Sequence, residues 1–231
     1  GSNNNDTLTG NSAANILSGG SGIDTMTGGD GSDTYYVQDV GDLVSETNAT
    51  TTGGTDMVYS TLSSYTLGTN VENGRLLTTS AANLTGNTLN NVLYAGAGNN
   101  VLDGGSGTDT VSYAYGLAGT TGVTVNLAVS TAQATGGSGS DTLTSIENLI
   151  GSAYADKLTG NTGANSLAGG AGNDTLDGGA GSDTLAGGDG SDLYYVRDGG
   201  DVVSETNAVL ATGGTDTVYC ALAAHTLGSN V

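Results

Sequence analysis

Proline, tryptophan and phenylalanine are absent from the 231 residues, and histidine and cysteine occur once each. With those side chains missing and 42 glycines present, the composition does not describe a conventional globular core. A lone cysteine excludes an internal disulfide; Cys220 takes the place that Ser60 holds in an earlier copy of the same segment, and reads as a tolerated serine replacement. Positive charge is just as scarce. Three Lys+Arg stand against 23 Asp+Glu, nineteen of them aspartate, for a formal charge of -20. Such a chain repels nucleic acid and anionic membrane, and on charge and hydropathy alone it is expected to stay unfolded. It therefore needs a positive partner that its own sequence does not supply. No apolar run approaches the ~18 residues of a membrane span, and no charged-then-apolar segment opens the chain, so membrane insertion is not expected.

Catalytic signatures are missing too. There is no HExxH, G-x-S-x-G, GxxxxGK[ST] or CxxC, and the sole lysine, Lys157, sits inside a degenerate repeat. His225 aligns with Tyr65 of the other copy, which argues against a required catalytic base there. The expectation is that this chain is not an enzyme.

What is present is a period of nine. The stretch "GGAGNDTLDGGAGSDTLAGGDGSDLYY" from Gly169 is three consecutive units of glycine, glycine, x, glycine, x, aspartate, x, large apolar, x. Complete units place their aspartates at Asp24, Asp33, Asp109, Asp141, Asp174, Asp183 and Asp192. Weaker copies keep the frame at Asp6, Asn15, Asn91, Asn100, Asp156 and Asn165, and the frame runs on into "VQDVGD" at Asp42 and "VRDGGD" at Asp201. The glycines allow positive φ and close backbone approach, so a tight turn can aim carbonyl oxygens at one point while the aspartate adds a carboxylate. Convergent oxygens suit a hard cation, and calcium takes roughly 6 to 8 oxygen ligands in tolerant geometry, whereas softer metals want His or Cys. The other three residues make a very short strand with one inward apolar side chain, such as Leu8, Leu17, Met26, Tyr35, Leu176 or Leu185.

These units resemble the RTX (repeats-in-toxin) family of hemolysin-type calcium-binding repeats, over residues 1–45, 86–112, 136–144 and 151–204. The resemblance implies an all-β fold, a right-handed parallel β-roll (β-solenoid) with calcium ions between stacked GGxGxD turns. Two units make one turn of the roll, so loops 18 residues apart stack. In each loop positions two, four and six face one neighbour, and one, three and five face the other. Carried onto this sequence, the implied calcium ligands begin with Asp6, then Gly19, Gly20, Ser21, Gly22 and Asp24, then Gly28, Gly29, Asp30, Gly31 and Asp33, with Asp39 and Asp42 closing the run. Gly104, Gly105, Gly107 and Asp109 follow in the middle of the chain. The last run has Asp156; Gly169, Gly170, Ala171, Gly172, Asn173 and Asp174; Gly178, Gly179, Ala180, Gly181 and Asp183; Gly187, Gly188, Asp189, Gly190 and Asp192; then Asp198 and Asp201. The implied stacked pairs are Asp6 with Asp24, Asn15 with Asp33, Asp24 with Asp42, Asn91 with Asp109, Asp156 with Asp174, Asn165 with Asp183, Asp174 with Asp192 and Asp183 with Asp201. Pairs that use an asparagine lack one carboxylate and are expected to be weaker or unused. Asp141 has no partner 18 residues away.

A longer repeat organises the rest. "GGDGSDTYYVQDVGDLVSETNA" from Gly28 returns as "GGDGSDLYYVRDGGDVVSETNA" from Gly187, so the chain reads as a piece of a tandem array of units of about 160 residues. Three blocks are expected: 1–77, a first calcium roll with a closing segment; 78–150, a shorter roll with longer strands; and 151–231, the strongest roll with its closing segment. Together they are read as one elongated solenoid or, alternatively, as rolls separated by small β domains. "GVTVNLAVS" puts Val123, Val125, Leu127 and Val129 on one strand face, while "SIENLIG" and "NVENGRLL" are one recurring strand-opening element. Glu46, Asp56, Glu205 and Asp216 match between copies and read either as further ion ligands or as exposed acids ending strands.

Without calcium the stacked aspartates repel across a thin core, so the chain is expected to fold on binding several calcium ions, which makes binding energy into folding energy. Extracellular calcium modules work at about 10⁻⁴ to 10⁻³ M, so folding is expected outside the cell. The resemblance adds secretion from a Gram-negative bacterium through type I machinery, with a signal beyond Val231. The function read from this is a structural segment of a calcium-stiffened adhesin or surface protein. The alternative is a secretion and folding module of a hydrolase or epimerase whose catalytic domain lies elsewhere. Neighbouring repeats are expected as partners; cell-surface glycans rank last, because the eleven tyrosines fall mostly at inward or strand positions.

Overall fold

A nine-residue unit that spends six residues on its turn has three left for a strand, and three residues give one inward side chain. The computed structural model, which describes residues 1–47, 53–205 and 214–228, is assembled from such pieces. The strands at Ile16–Ser18, Thr25–Thr27 and Thr175–Asp177 point Leu17, Met26 and Leu176 inward. Where the nine-residue frame holds, each turn throws the next strand to the opposite face, so a strand pairs in parallel with the one two units on. Thr7–Thr9 pairs with Thr25–Thr27, Ile16 with Thr34, and Lys157–Thr159 with Thr175–Asp177, each 18 residues apart. The described elements are all strands, and the protein is a parallel β-solenoid.

One face is a sheet of ten strands running from Ile16–Ser18 to Val202–Ser204. The other face is covered by three shorter sheets, which contain Thr7–Thr9, Ala82–Thr85 and Thr175–Asp177 respectively. The core between the faces is thin, a row of inward side chains from each wall. Leu149, Leu167, Leu185 and Val203 stack on one wall, and Leu158, Leu176 and Tyr194 on the other, all fully buried. Of the inward positions expected from the period, Leu8 is only half-buried. Gly74 pairs with Val58 and Leu93 in the ten-stranded sheet, where a side chain would be expected. A Cβ there would meet Leu67 and Leu84 methyls at 2.9 and 3.1 Å, so those two leucines fill its place.

Two local features depart from the sequence reading. The complete unit ending at Asp141 stacks on the loop ending at Asn100, 41 residues earlier, and its first glycines also form the corner of a hairpin, in which Gln133–Gly136 and Gly139–Thr144 pair antiparallel. "GVTVNLAVS" buries Val123 and Val125, but its strand is only Thr124–Asn126, and Leu127 is partly buried beyond the strand's end. The tyrosines fall mostly at inward or strand positions, as expected: Tyr35, Tyr113 and Tyr194 are buried, while Tyr36 stacks on Tyr59, Tyr94 lies against Tyr115, and Tyr195 stacks on Tyr219. Arg75 lies over the rings of Tyr59 and Tyr115. The ends of the repeated closing segments, 48–52 and 206–213, and the end of the third block, 229–231, lie outside the described residues.

Candidate metal centre

The turns between strands carry the acidic residues in two rows, one along each edge of the solenoid, because successive turns alternate between the edges, and the glycines fall into two kinds. At the second and fourth positions the backbone is left-handed: Gly188 and Gly190 have φ of 104° and 131°. A Cβ on them would lie 2.1 Å from the Gly170 carbonyl oxygen and 1.7 Å from that of Gly172 in the preceding turn, so only glycine lets the loops stack this closely. The first glycine has a different task. A Cβ on Gly178 would lie 2.2 Å from Asp183 Oδ2, so the bare backbone makes room for the aspartate folded over it. At the third position the Ser21, Ala171 and Ala180 N–H groups donate to carbonyl oxygens of the preceding turn.

The aspartates form a ladder with a direction. Asp6 N–H donates to Asp24 Oδ1 at 2.8 Å, Asp24 N–H to Asp42 Oδ1 at 3.0 Å, Asp156 N–H to Asp174 Oδ1 at 2.7 Å, and Asp174 N–H to Asp192 Oδ1 at 2.7 Å. Asn15 with Asp33, Asn91 with Asp109, Asn165 with Asp183, and Asp183 with Asp201 follow the same rule. All eight stacked pairs read from the sequence are thus in contact.

The second carboxylate oxygen separates them into two classes. In Asp24, Asp33, Asp109, Asp174, Asp183 and Asp192, the sixth residues of complete units, Oδ2 is buried and accepts no hydrogen bond. Elsewhere the second oxygen is used at home. Asp6 takes the Ser2 N–H and Asp156 the Ser152 N–H, while Asp42 accepts from Gln38 and Asp39 and Asp201 from Arg197 and Asp198. Asn15, Asn91 and Asn165 likewise accept from Asn11, Asn87 and Asn161. Of the remaining candidates, Asp39 accepts from Gly22 and Asp198 from Gly181, Asn173 accepts from Ser191, and Asp189 lies opposite Ala171 in the sheet register, while Asp30 sits half-buried at the matching third position.

An unpartnered buried carboxylate oxygen is costly. Burial pushes Asp33, Asp109, Asp183 and Asp192 above the usual carboxylate range despite the backbone N–H each accepts. At Asp174, burial and then the charges of Asp156, Asp192 and Glu205 push the value up to about 7. Six spare oxygens aimed at loops of backbone carbonyls, with no nitrogen or sulfur ligand beside them, fit a hard cation of calcium's kind.

Sequence reasoning missed part of the ladder. Asp141 does have a partner: Asn100 N–H donates to its Oδ1 at 2.8 Å, 41 residues away, because the intervening chain leaves the roll as loop and hairpin. Its second oxygen is taken by Thr135 Oγ1 at 2.9 Å. Glu72 and Glu147 also act as ladder carboxylates, accepting from Asp56 N–H at 2.8 Å and Asp109 N–H at 2.7 Å. Their signal was the shared "VEN" and "IEN" of the recurring strand-opening element, whose acid stands where a unit's aspartate would.

Compared with known families, the chain matches the model of the RTX calcium-binding nonapeptide repeat in four copies, at residues 1–36, 83–113, 144–176 and 168–203. These cover more than half of the sequence and leave out the hairpin around Asp141. Comparison with curated proteins gives no match.

Proposed function

Because this chain belongs to the family of the RTX calcium-binding nonapeptide repeat, whose repeats bind calcium in a β-roll, we propose that it is a structural segment that folds as calcium arrives, outside the cell. The observation that carries the reading is the set of six buried carboxylate oxygens without partners, in six of the seven complete units. A roll with so thin a core and a formal charge of -20 gains little from burial alone, so cations that join adjacent turns contribute both charge balance and cross-links.

The ligands under this proposal are the aspartates with a spare oxygen together with the loop carbonyls around them, from Gly19 to Asp33, Gly104 to Asp109 and Gly169 to Asp192. The three sequence blocks act as one rod, and the recurrence of the unit of about 160 residues favours an array in an adhesin or surface protein over a module serving a single catalytic domain. Secretion in an unfolded state and folding at extracellular calcium follow from the same energetics.

Circular dichroism during separate calcium and magnesium titrations tests this. The expected outcome is a coil spectrum in chelator and a cooperative rise of β signal with calcium but not with equal magnesium. A spectrum that is fully β in chelator at neutral pH and unmoved by calcium would refute it.

A further inference from the structure

Two groups of carboxylates join the aspartate of a complete unit to two acids outside the nonapeptide pattern, at the places where the nine-residue frame gives way to a wider turn. Asp33, Glu46 and Asp56 bring oxygens within 4.8 Å of one another, and so do Asp192, Glu205 and Asp216. Glu46, Asp56, Glu205 and Asp216 all lie beyond the residues that match the repeat model. Five of the six side chains are buried, among them Asp33, Glu46 and Asp56 at 1%, 3% and 1% exposure, which rules out exposed acids ending strands.

The arrangement is specific. Glu46 stands 18 residues after Gly28, where a further complete unit would put glycine, and its two oxygens accept from Gly28 N–H at 3.1 Å and Gly29 N–H at 3.2 Å. Asp33 N–H donates to Asp56 Oδ1 at 2.7 Å across 23 residues, so the widened turn still returns a carboxylate to the ladder. In the second copy, Gly188 N–H donates to Glu205 Oε2 at 2.9 Å and Asp192 N–H to Asp216 Oδ1 at 2.9 Å.

A further observation points to a ligand. Tyr35 is fully buried at a position that most other units fill with leucine or another aliphatic side chain, and its hydroxyl has no hydrogen-bond partner. That hydroxyl and the unpartnered Asp33 Oδ2 approach the same point, 2.3 and 2.0 Å from where a Cβ on Gly28 would stand, beside the oxygens of Glu46. In the second copy Asp192 Oδ2 is likewise unpartnered and meets the Tyr194 hydroxyl at Gly187, 2.1 and 2.2 Å from its Cβ position, though there the hydroxyl accepts the Gly187 N–H at 2.7 Å. Nor is a cationic side chain at hand: Arg75 lies over Tyr59 and Tyr115, Arg197 is bonded to Asp177, and Lys157 is in the strand beside Asp177.

We propose that Asp33, Glu46 and Asp56, and separately Asp192, Glu205 and Asp216, each bind one calcium-sized divalent ion, as a second class of site that locks a widened turn onto the roll. The inference deepens the calcium reading and rests on it. Three carboxylates supply more charge than the two of a stacked pair, and the donors are all oxygen, so these sites fill before the others.

The test counts ions on the whole chain by equilibrium dialysis and follows affinity by calorimetry, for the parent and for the double variant Glu46→Gln, Glu205→Gln. The expected result is two fewer calcium ions, one per cluster, with the tightest phase lost and the remaining ions bound as before. An unchanged count with an unchanged tight phase overturns the proposal, whereas a parent that binds no calcium overturns the reading beneath it. Should the double variant fail to reach the β spectrum at any calcium level, terbium added to the parent decides. Tyrosine-sensitised emission should rise over the first two equivalents and fall in Tyr35→Leu, Tyr194→Leu; emission that grows evenly through the titration, or is unmoved by those changes, overturns the proposal.

Discussion

Asp174→Asn separates what the carboxylate costs the fold from what it gives the ion. Its Oδ1 accepts the Asp156 N–H and its own N–H donates to Asp192, while its Oδ2 is buried without a partner. Asparagine keeps the shape and the Oδ1 acceptor and removes the charge. Burial, joined by three neighbouring acids, moves this carboxyl from 3.8 to about 7. Three pKa steps at ~1.4 kcal/mol each are ~4 kcal/mol, and the solvent-facing loop edge screens about half, which leaves ~2 kcal/mol. The folded value stands above the unfolded one, so the stability that protonation gives is complete below about 3.8 and is lost as pH rises through about 7. In chelator at neutral pH the variant should therefore be about 2 kcal/mol more stable than the parent, roughly thirtyfold in the folding constant. In calcium the order should reverse, because the variant brings one carboxylate fewer to the ion. Far-ultraviolet circular dichroism across pH in chelator, and across calcium at neutral pH, reads both effects: the parent gains β signal on acidification, and the variant gains it at higher pH but needs more calcium. A variant that is weakened in both media, or unchanged in both, refutes the reasoning.

Other substitutions probe the loops and the core. Gly190→Ala sets a Cβ against the Gly172 carbonyl at a left-handed φ and should cost about 3 kcal/mol or more in urea unfolding with calcium present, whereas Gly199→Ala, with nothing within 4 Å, should stay within ~0.5 kcal/mol. Leu176→Ala opens the column between Leu158 and Tyr194 and should cost about 2 to 5 kcal/mol in the same assay. Asp183→Ala should raise the calcium midpoint of folding more than Asp141→Ala, because Asp141 spends its second oxygen on Thr135 while that of Asp183 is spare; equal midpoints would show that the spare oxygen does not matter.

The stacked frame was legible because each unit carries its own turn chemistry. Gly190 and Asp192 say locally what the backbone must do, and a constant unit length then sets which loops meet, as Asp174 and Asp192 do. Where the loop length varies, the sequence loses track of the register. Asp33 meets Asp56 after 23 residues, Asp192 meets Asp216 after 24, and Asn100 meets Asp141 after 41, since the sheet fixes the strand spacing but leaves the excursion between strands free. The Asp141 unit shows the limit of the pattern from the other side: it has every required residue and joins the ladder at Asn100, yet its glycines also turn a hairpin whose Thr135 takes the oxygen that its siblings leave spare. Glu72 and Glu147 show that an acid one methylene longer can take the aspartate's place in the ladder, which a pattern written for aspartate does not register.

The direction of that ladder reaches beyond one chain. At every stacked pair the earlier turn gives the N–H and the later turn gives the carboxylate oxygen. A cross-section through the rod therefore has two unlike sides, one presenting amide donors and the other carboxylate acceptors. Two such ends fit head to tail, while carboxylate side against carboxylate side repels. A tandem array of these units is thus a polar filament, with a built-in distinction between its two ends.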